Sequence, residues 1–338
     1  KNRIDNMNHI SIKNFGPLVD IDCNLGKLNL LIGHNGSGKT FFLKALYTAL
    51  KTVEQYGRGK ETRTANELLE EALYWTFQVG SLSNLVRKGG DFLEFSMKAG
   101  NDKCFSYSFG ATTTKQIKTL DNTFPPTNVN SIFIPAKEIV SLQDVILRLF
   151  DEDRAFGFDK TYVDLSRALG KTLKGRNYKF FSEARKQLKE AVGGRIEYDY
   201  GKDSWVFRDK DKRIFNINAT SEGIKRLGIL DSLLGNHYLS QDSVVIIDEA
   251  EANLHPETIH RFMDILVMLA QSGLQIFIST HSYFVIKNLY ILAQQNKMSI
   301  PSLSFEDGRV EQSDLLDGMP DNPIIGESIE IYKREIEL

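Results

Sequence analysis

The chain has 338 residues, 41% hydrophobic and 25% charged, enough to bury a large core in one big domain or two closely joined lobes. A formal net charge of −2 excludes a globally basic nucleic-acid binder, though it leaves room for a local basic patch. With two cysteines far apart in no metal-like spacing, no signal peptide and no apolar run of transmembrane length, a cytoplasmic protein with reduced thiols is expected.

The first segment, "HISIKNFGPLVDIDCNL", alternates apolar and polar residues about a turn at Gly16 and Pro17 and reads as a β-hairpin. Leu28 to Ile32 is a mostly apolar run, read as a buried strand, and "GHNGSGKT" follows it at residues 33 to 40. Behind the loop, "TFFLKALYTAL" places apolar residues at helical spacing. A second helix is expected in "ANELLEEALYWTFQ". "DFLEFSMKA" and "KCFSYSFG" alternate at period two, as an antiparallel pair joined through "GND". "SIFIPAKE" reads as a short buried strand, about Ser141 to Val192 as mostly helical, and "GRIEYDYGKDSWVFRDKDKRIFNI" as strands around two polar turns. From Ser221 the order is helix, strand, helix, strand, helix, then a short hairpin and a tail with an amphipathic helix near Ile324 to Ile336. The expected fold is α/β, with a nucleotide-binding core split between a lobe at 1–135 and a lobe at 215–338. The insert between them, 136–214, is mainly helical with a β-hairpin.

The octamer fits G-x-x-x-x-G-K-[ST]. Its glycines let backbone N–H groups turn inward around an anion, where a Cβ would obstruct the approach. Lys39 supplies a mobile charge for the β- and γ-phosphates, and the Thr40 hydroxyl is a ligand for Mg²⁺. Strand, loop and helix stand in the required order, so the phosphates of a nucleoside triphosphate are expected at a helix N-terminus. The contacts expected there are Gly33, Asn35, Gly36, Ser37, Gly38, Lys39, Thr40 and the following Phe41.

The later strands carry the complementary groups. "VVIIDEAEANLHP" ends four apolar β-formers in two carboxylates, at the strand edge where an α/β sheet holds its ligand. Asp248 is expected to hold Mg²⁺, directly or through water, and Glu249 to orient or deprotonate an attacking water. "IFISTHS" is a second such strand, ending at His281, whose imidazole could polarise the γ-phosphate. Ser221 and Gly223 open the amphipathic helix of "NATSEGIKRLGILDSLLG". Two readings stand side by side. Ser221 is an ordinary N-cap, or this helix end is a second anion site that closes on a nucleotide held by another protomer.

Taken in order, "NGSGKT", "SEGIKR", "IIDEAEANLHP" and "ISTHS" resemble the ABC-type AAA ATPases of the OLD and SMC-like group. That group includes stand-alone ATPases of bacterial anti-phage defence systems. The resemblance spans nearly the whole chain and implies an ATPase head that dimerises head-to-tail around two ATP molecules. Carried over, Gly33 to Thr40 is Walker A, Ser221 with Gly223 the signature acting in trans, and Asp248 with Glu249 Walker B. Glu251 to His255 is then the D-loop and His281 the switch histidine. "IKNFG" resembles the group's turn near the nucleotide, which implies Lys13 and Asn14 as further contacts.

Three departures qualify the resemblance. Thr220-Ser221-Glu222-Gly223 is not the LSGGQ of transporter ATPases, which argues against a transporter subunit. "IPAKE", where the Q-loop is expected, has no glutamine, leaving Lys137 or Glu138 as substitutes and Gln78 as another candidate. The residues after the last strands are too few for the Toprim domain of OLD nucleases, so a nuclease effector is expected on a separate chain. The dense basic stretch from Arg167 to Lys189 contains Arg167, Lys171, Lys174, Arg176 and Lys179. It reads as a solvated helix face, with a nucleic-acid surface as the alternative. Two functional classes follow: an ATPase that drives or resets a complex, or a scaffold in which ATP clamps heads together with negligible turnover.

Overall fold

The computed structural model describes residues 6–173, 175 and 178–337. The chain starts with a hairpin, β1 (Met7–Phe15) and β2 (Leu18–Asn24), then β3 (Leu28–Ile32) and α1 (Lys39–Gln55). α2 (Ala65–Phe77) precedes a run of strands, β4 (Phe92–Ala99), β5 (Lys103–Gly110), β6 (Thr119–Asn122) and β7 (Ser131–Ile134). The insert holds α3 (Gln143–Asp151), α4 (Lys160–Leu169) and α5 (Lys179–Val192), then β8 (Gly194–Asp199), β9 (Ser204–Asp209) and β10 (Ile214–Asn216). The last lobe runs α6 (Glu222–Gly235), β11 (Val244–Ile247), α7 (Pro256–Gln271), β12 (Gln275–Thr280) and α8 (Tyr283–Asn296). It closes with β13 (Pro301–Glu306), β14 (Arg309–Asp314) and α9 (Pro323–Ile336).

Eleven strands form one mixed sheet in the order β6-β5-β4-β1-β2-β14-β13-β3-β12-β11-β7. Its core, β13-β3-β12-β11-β7, is parallel throughout. β1, β2, β4, β5 and β6 form an antiparallel wing, joined to the core through β14. Central parallel strands are covered on both faces, which is why β3, β7, β11 and β12 read as unbroken apolar runs. Alternation sends their side chains to two cores. Leu31, Phe133, Ile246 and Phe277 join α1 and the inner face of the antiparallel wing, while Leu30, Ile132, Val245 and Ile278 join the helices of the second lobe. The sheet therefore curls around α1, the helix that carries the glycine-rich loop.

Local signals account for the helix ends. Thr64 and Glu67 form a capping box that starts α2, an arrangement worth about 1 kcal/mol. Pro256 opens α7 at its first position, where no N–H is needed. In the insert, the three strands β8, β9 and β10 make a separate small sheet rather than the expected hairpin. β10, with all three of its residues exposed, is the last strand of the segment read as strands around two polar turns, and it crosses the 214 boundary expected for the insert. The expected tail hairpin forms, but its first strand also extends the parallel core beside β3.

Candidate nucleotide site

The parallel core gathers the predicted groups at one edge, because all its strands point the same way. Register pairs Ile247 with Ile278, and Thr280 with Ile32. The glycine-rich loop after Ile32, the carboxylates after Ile247 and the end of β12 therefore meet at one level. A cavity of about 500 Å³ opens there. Asn35, Gly36, Ser37, Gly38, Lys39, Thr40, Phe41, Asp248 and Glu249 line it, together with Pro17, Lys44, Gln78 and Asp159.

The loop's shape depends on glycine. Gly38 has φ +106, and a Cβ there would lie 2.9 Å from Leu18. Gly33, at φ +152, would drive a Cβ to 2.7 Å from both the Phe305 carbonyl and Ser37 Oγ. Lys39 curls back, its Nζ donating to the carbonyls of Gly33 at 2.6 Å and His34 at 2.8 Å. Burial lowers the pKa of this ammonium, partly offset by Asp248, Glu249 and Glu251.

Thr40 Oγ1 donates to the Asp248 carboxylate at 2.9 and 3.1 Å, across 208 residues of sequence. The same carboxylate accepts from Ser279 Oγ at 2.5 Å, and Ser279 Oγ accepts the Glu249 N–H at 2.8 Å. Ser279 was not assigned a role from sequence, although a serine at the end of an apolar strand is a usable signal. Glu249 sits at φ +50, in the left-handed region that non-glycine residues rarely occupy. That turn lets it line the cavity beside Asp248. Thr40 and Asp248 are hard oxygen donors and few in number, which suits Mg²⁺, an ion that keeps water and phosphate oxygens as its other ligands.

Arg226 is a second group that the sequence did not reveal. It lies on α6, 7% exposed, and its guanidinium donates to the carbonyls of Pro135, Ala136, Asp248 and Glu249. Desolvation pushes its pKa down to about 10, and Asp248, Glu251 and Glu249 oppose that shift. The guanidinium remains charged at neutral pH and ties the end of β7 to the carboxylate turn.

Other expected residues lie elsewhere. His281 is exposed and faces Glu251, with its N–H 2.9 Å and its Nδ1 3.4 Å from Glu251 Oε1, and it does not line the cavity. Asn14 donates to the Phe92 carbonyl, and neither it nor Lys13 lines the cavity, whereas Pro17 of the same hairpin does. Of the three residues considered in place of the missing Q-loop glutamine, Gln78 lines the cavity, with its Nε2 buried and unpartnered. Lys137 is exposed, and Glu138 accepts the Ser141 N–H and faces Lys225. Ser221 is the exposed N-cap of α6 and accepts the Ile224 N–H at 3.4 Å. Gly223 is buried against the Asn253 carbonyl, which a Cβ would approach to 2.6 Å. Neither residue lines the cavity of its own chain.

The basic stretch is partly neutralised. Arg167 pairs with Asp151 at 2.5 Å and lies over the Phe150 ring, and Lys171 lies over Tyr238. Lys179 is exposed, while Lys174 and Arg176 lie outside the described residues. Among the described residues, no helix is long and apolar enough to cross a membrane.

Two solved structures share this architecture. One is an SMC head bound to the C-terminal winged-helix domain of ScpA, with a TM-score of 0.53 and 14% identity, covering 91% of this chain and 97% of that one. The other is a Pyrococcus furiosus Smc head with an extended coiled coil bound to the C-terminal domain of ScpA. Its TM-score is 0.50 at 12% identity, with 98% and 99% of the two chains covered. At such identity the likeness concerns the fold, an ABC-type P-loop ATPase head. No curated protein matches the sequence. Residues 28–287, from the strand before the glycine-rich loop to the helix after His281, match the family described as "AAA domain, putative AbiEii toxin, Type IV TA system", and the chain belongs to that family.

Proposed function

We propose that this protein binds and hydrolyses ATP with Mg²⁺ and does so as a head-to-tail homodimer. The observation that carries the reading is the meeting of Thr40 with Asp248, with Glu249 turned into the same cavity. The backbone N–H groups of Gly36 to Thr40 and the N-terminus of α1 would hold the phosphates. Lys39 would leave the Gly33 and His34 carbonyls for the β- and γ-oxygens. Glu249 would accept a proton from, or orient, the attacking water. Mg²⁺ on Thr40 and Asp248 would offset charge on the β- and γ-phosphates.

A carboxylate poised beside the Mg²⁺ ligand favours turnover over a passive clamp. Ser221 and Gly223 do not line their own chain's cavity, and the exposed N-terminus of α6 supports a role toward the nucleotide of a second copy. His281, facing the D-loop through Glu251, would report on that closure. The family's description, with its putative toxin of a type IV toxin–antitoxin system, is compatible with work in defence, where a separate effector is our own reading. A nuclease is the effector we favour, within anti-phage defence or DNA repair.

The test is the solution mass of Glu249→Gln by light scattering, with and without Mg-ATP, beside steady-state hydrolysis by the wild type. An ATP-dependent doubling together with measurable wild-type turnover supports the reading. Doubling without turnover returns the nucleotide-dependent scaffold, and no nucleotide binding at all sinks both.

A further inference from the structure

The helical insert reaches the phosphate cavity through one ion pair that the ATPase reading leaves unused. Lys44 stands one turn after Thr40 on the same face of α1, and Asp159 is the N-cap of α4. Both line the cavity, and Lys44 Nζ lies 2.7 Å from Asp159 Oδ2, with the two side chains only 23% and 10% exposed. The two oxygens of Asp159 have separate tasks. Oδ1 caps α4 by accepting the Thr161 N–H at 2.8 Å, and Oδ2 holds Lys44.

The seam continues along both helices. Tyr47, three residues beyond Lys44, donates to Asp164 at 3.0 Å, and Lys160 lies 3.4 Å from the same carboxylate. At its cavity end α1 is therefore tied to α4 by polar groups. An apolar seam would be indifferent to charge arriving in the cavity, but this one is not.

Resting on the ATPase reading of this site, we propose that Lys44 is a switchable phosphate contact for which Asp159 competes, so that a filled cavity releases the N-terminus of α4. A polyphosphate brings several negative charges beside Thr40. A largely buried ion pair has a small net free energy, because desolvation offsets most of the attraction. Exchanging one anionic partner of Lys44 for another is therefore inexpensive. Asp159 is then a positioning residue: it sets where the Lys44 ammonium points, and through its cap it converts occupancy of the cavity into looser packing of the insert. α4 packs on α3 of the insert and on β7, α2 and α6 of the two lobes, so that loosening is passed to both.

The sign of one variant separates this from a purely structural role. Asp159→Asn keeps an oxygen to cap α4, since asparagine caps as well as aspartate, and removes only the charge that competes for Lys44. A fluorescent ATP analogue with Mg²⁺ is titrated into wild type, Asp159→Asn and Lys44→Met, and amide hydrogen exchange is read across residues 159–169. Asp159→Asn should bind about three- to tenfold more tightly, Lys44→Met more weakly by a similar factor. Exchange in 159–169 should rise on nucleotide binding in the wild type and stay unchanged in both variants. Unchanged or weaker binding by Asp159→Asn, or a nucleotide response that persists in either variant, overturns the proposal while leaving the ATPase reading intact. If the wild type takes up no nucleotide, the reading of the site falls and this inference falls with it.

Discussion

Arg226 donates to the Glu249 carbonyl at 2.8 Å, so the helix that begins at Ser221 is fastened to the turn that aims the proposed base. The same guanidinium holds the Asp248 carbonyl at 2.5 Å and the end of β7. These four acceptors all lie on irregular backbone, and of them the Glu249 carbonyl also accepts the Ala252 N–H at 2.9 Å.

Arg226→Lys should therefore damage the site while keeping its charge. An ammonium offers three donors on one nitrogen and cannot span four carbonyls as a planar fork does. Each carbonyl left without a partner costs about 1–3 kcal/mol, so a total loss of about 2–4 kcal/mol is expected after relaxation. Thermal melting checks the stability, and steady-state kinetics should show kcat reduced more than tenfold with nucleotide affinity little changed. A variant that melts normally and turns over normally would show that the Glu249 turn holds without Arg226.

Lys39→Ala should lose nucleotide binding by about two orders of magnitude or more, because the cradle loses the cation held on the loop carbonyls of Gly33 and His34. Glu249→Gln should bind with wild-type affinity and lose at least about a hundredfold in kcat, within the range of general-base catalysis. The two effects are read by calorimetry and phosphate release. Tight binding by Lys39→Ala would remove it from the cradle, and unchanged turnover by Glu249→Gln would remove it from the chemistry.

The parts of this architecture that a sequence reader can see are those in which two periodic signals adjoin a motif. Leu28 to Ile32, the octamer and α1 are such a case, and so are the strands that end at Asp248 and His281. The antiparallel wing was readable for the same reason, since Phe95, Met97, Phe105 and Tyr107 alternate with polar residues. β13 was seen as half of a hairpin but not as a core strand, because Ser302 and Ser304 make a strand with five consecutive buried residues look half-exposed. Asp159 and Lys44 are 115 residues apart and belong to no motif, so only the fold brings them together. Arg226 sits in a helix of apolar neighbours, where nothing local distinguishes a buried arginine from a solvated one. Lys171 is exposed, as its place in a basic run suggested, with its ammonium over the Tyr238 ring.

Cys23 should be silent toward thiol reagents in the native protein. Burial, aided by neighbouring Asp22, raises its pKa from 9.0 to about 12. At pH 8 a disulfide reagent should modify Cys104, which is half-buried, and reach Cys23 only on unfolding. The linkage sign follows from the raised value. Between pH 9 and 12 the unfolded chain has lost the Cys23 proton and the folded chain retains it. Stability from this thiol is thus fully present below pH 9 and is lost as pH rises through 12, by about 1.4 kcal/mol per unit. Denaturant titrations at pH 8, 9.5 and 10.5 should show that decline in the wild type and a shallower one in Cys23→Ala, once its lower baseline is subtracted. An identical slope in the variant would mean that other groups, such as the buried tyrosines Tyr47 and Tyr107, carry the whole alkaline limb.

Ser221→Arg addresses whether α6 works within one chain or between two. Ser221 is exposed, and its side chain makes a weak cap to the Ile224 N–H at 3.4 Å, so an arginine there is tolerated by its own chain at a cost of about 1 kcal/mol. Nothing in its own cavity changes, and ATP binding by the isolated protomer should remain within about twofold of wild type. If the helix end receives the γ-phosphate of a second copy, the bulky side chain should block closure. The Glu249→Gln, Ser221→Arg double variant would then bind ATP without the mass doubling of Glu249→Gln alone. Hydrolysis by the single variant should fall to background for the same reason, and mixing it with Lys39→Ala protein should not restore it. In that mixed dimer the intact cradle comes from the Ser221→Arg chain and the intact Ser221 from the Lys39→Ala chain, so one complete composite site would exist and half of the sites could in principle turn over. The expected failure of rescue therefore requires that both sites close together, whereas rescue to about half of wild-type activity would show that each site fires alone and would still establish Ser221 as a residue acting in trans. ATP-driven doubling that survives in the double variant would instead assign Ser221 to capping alone and move the dimer interface away from α6.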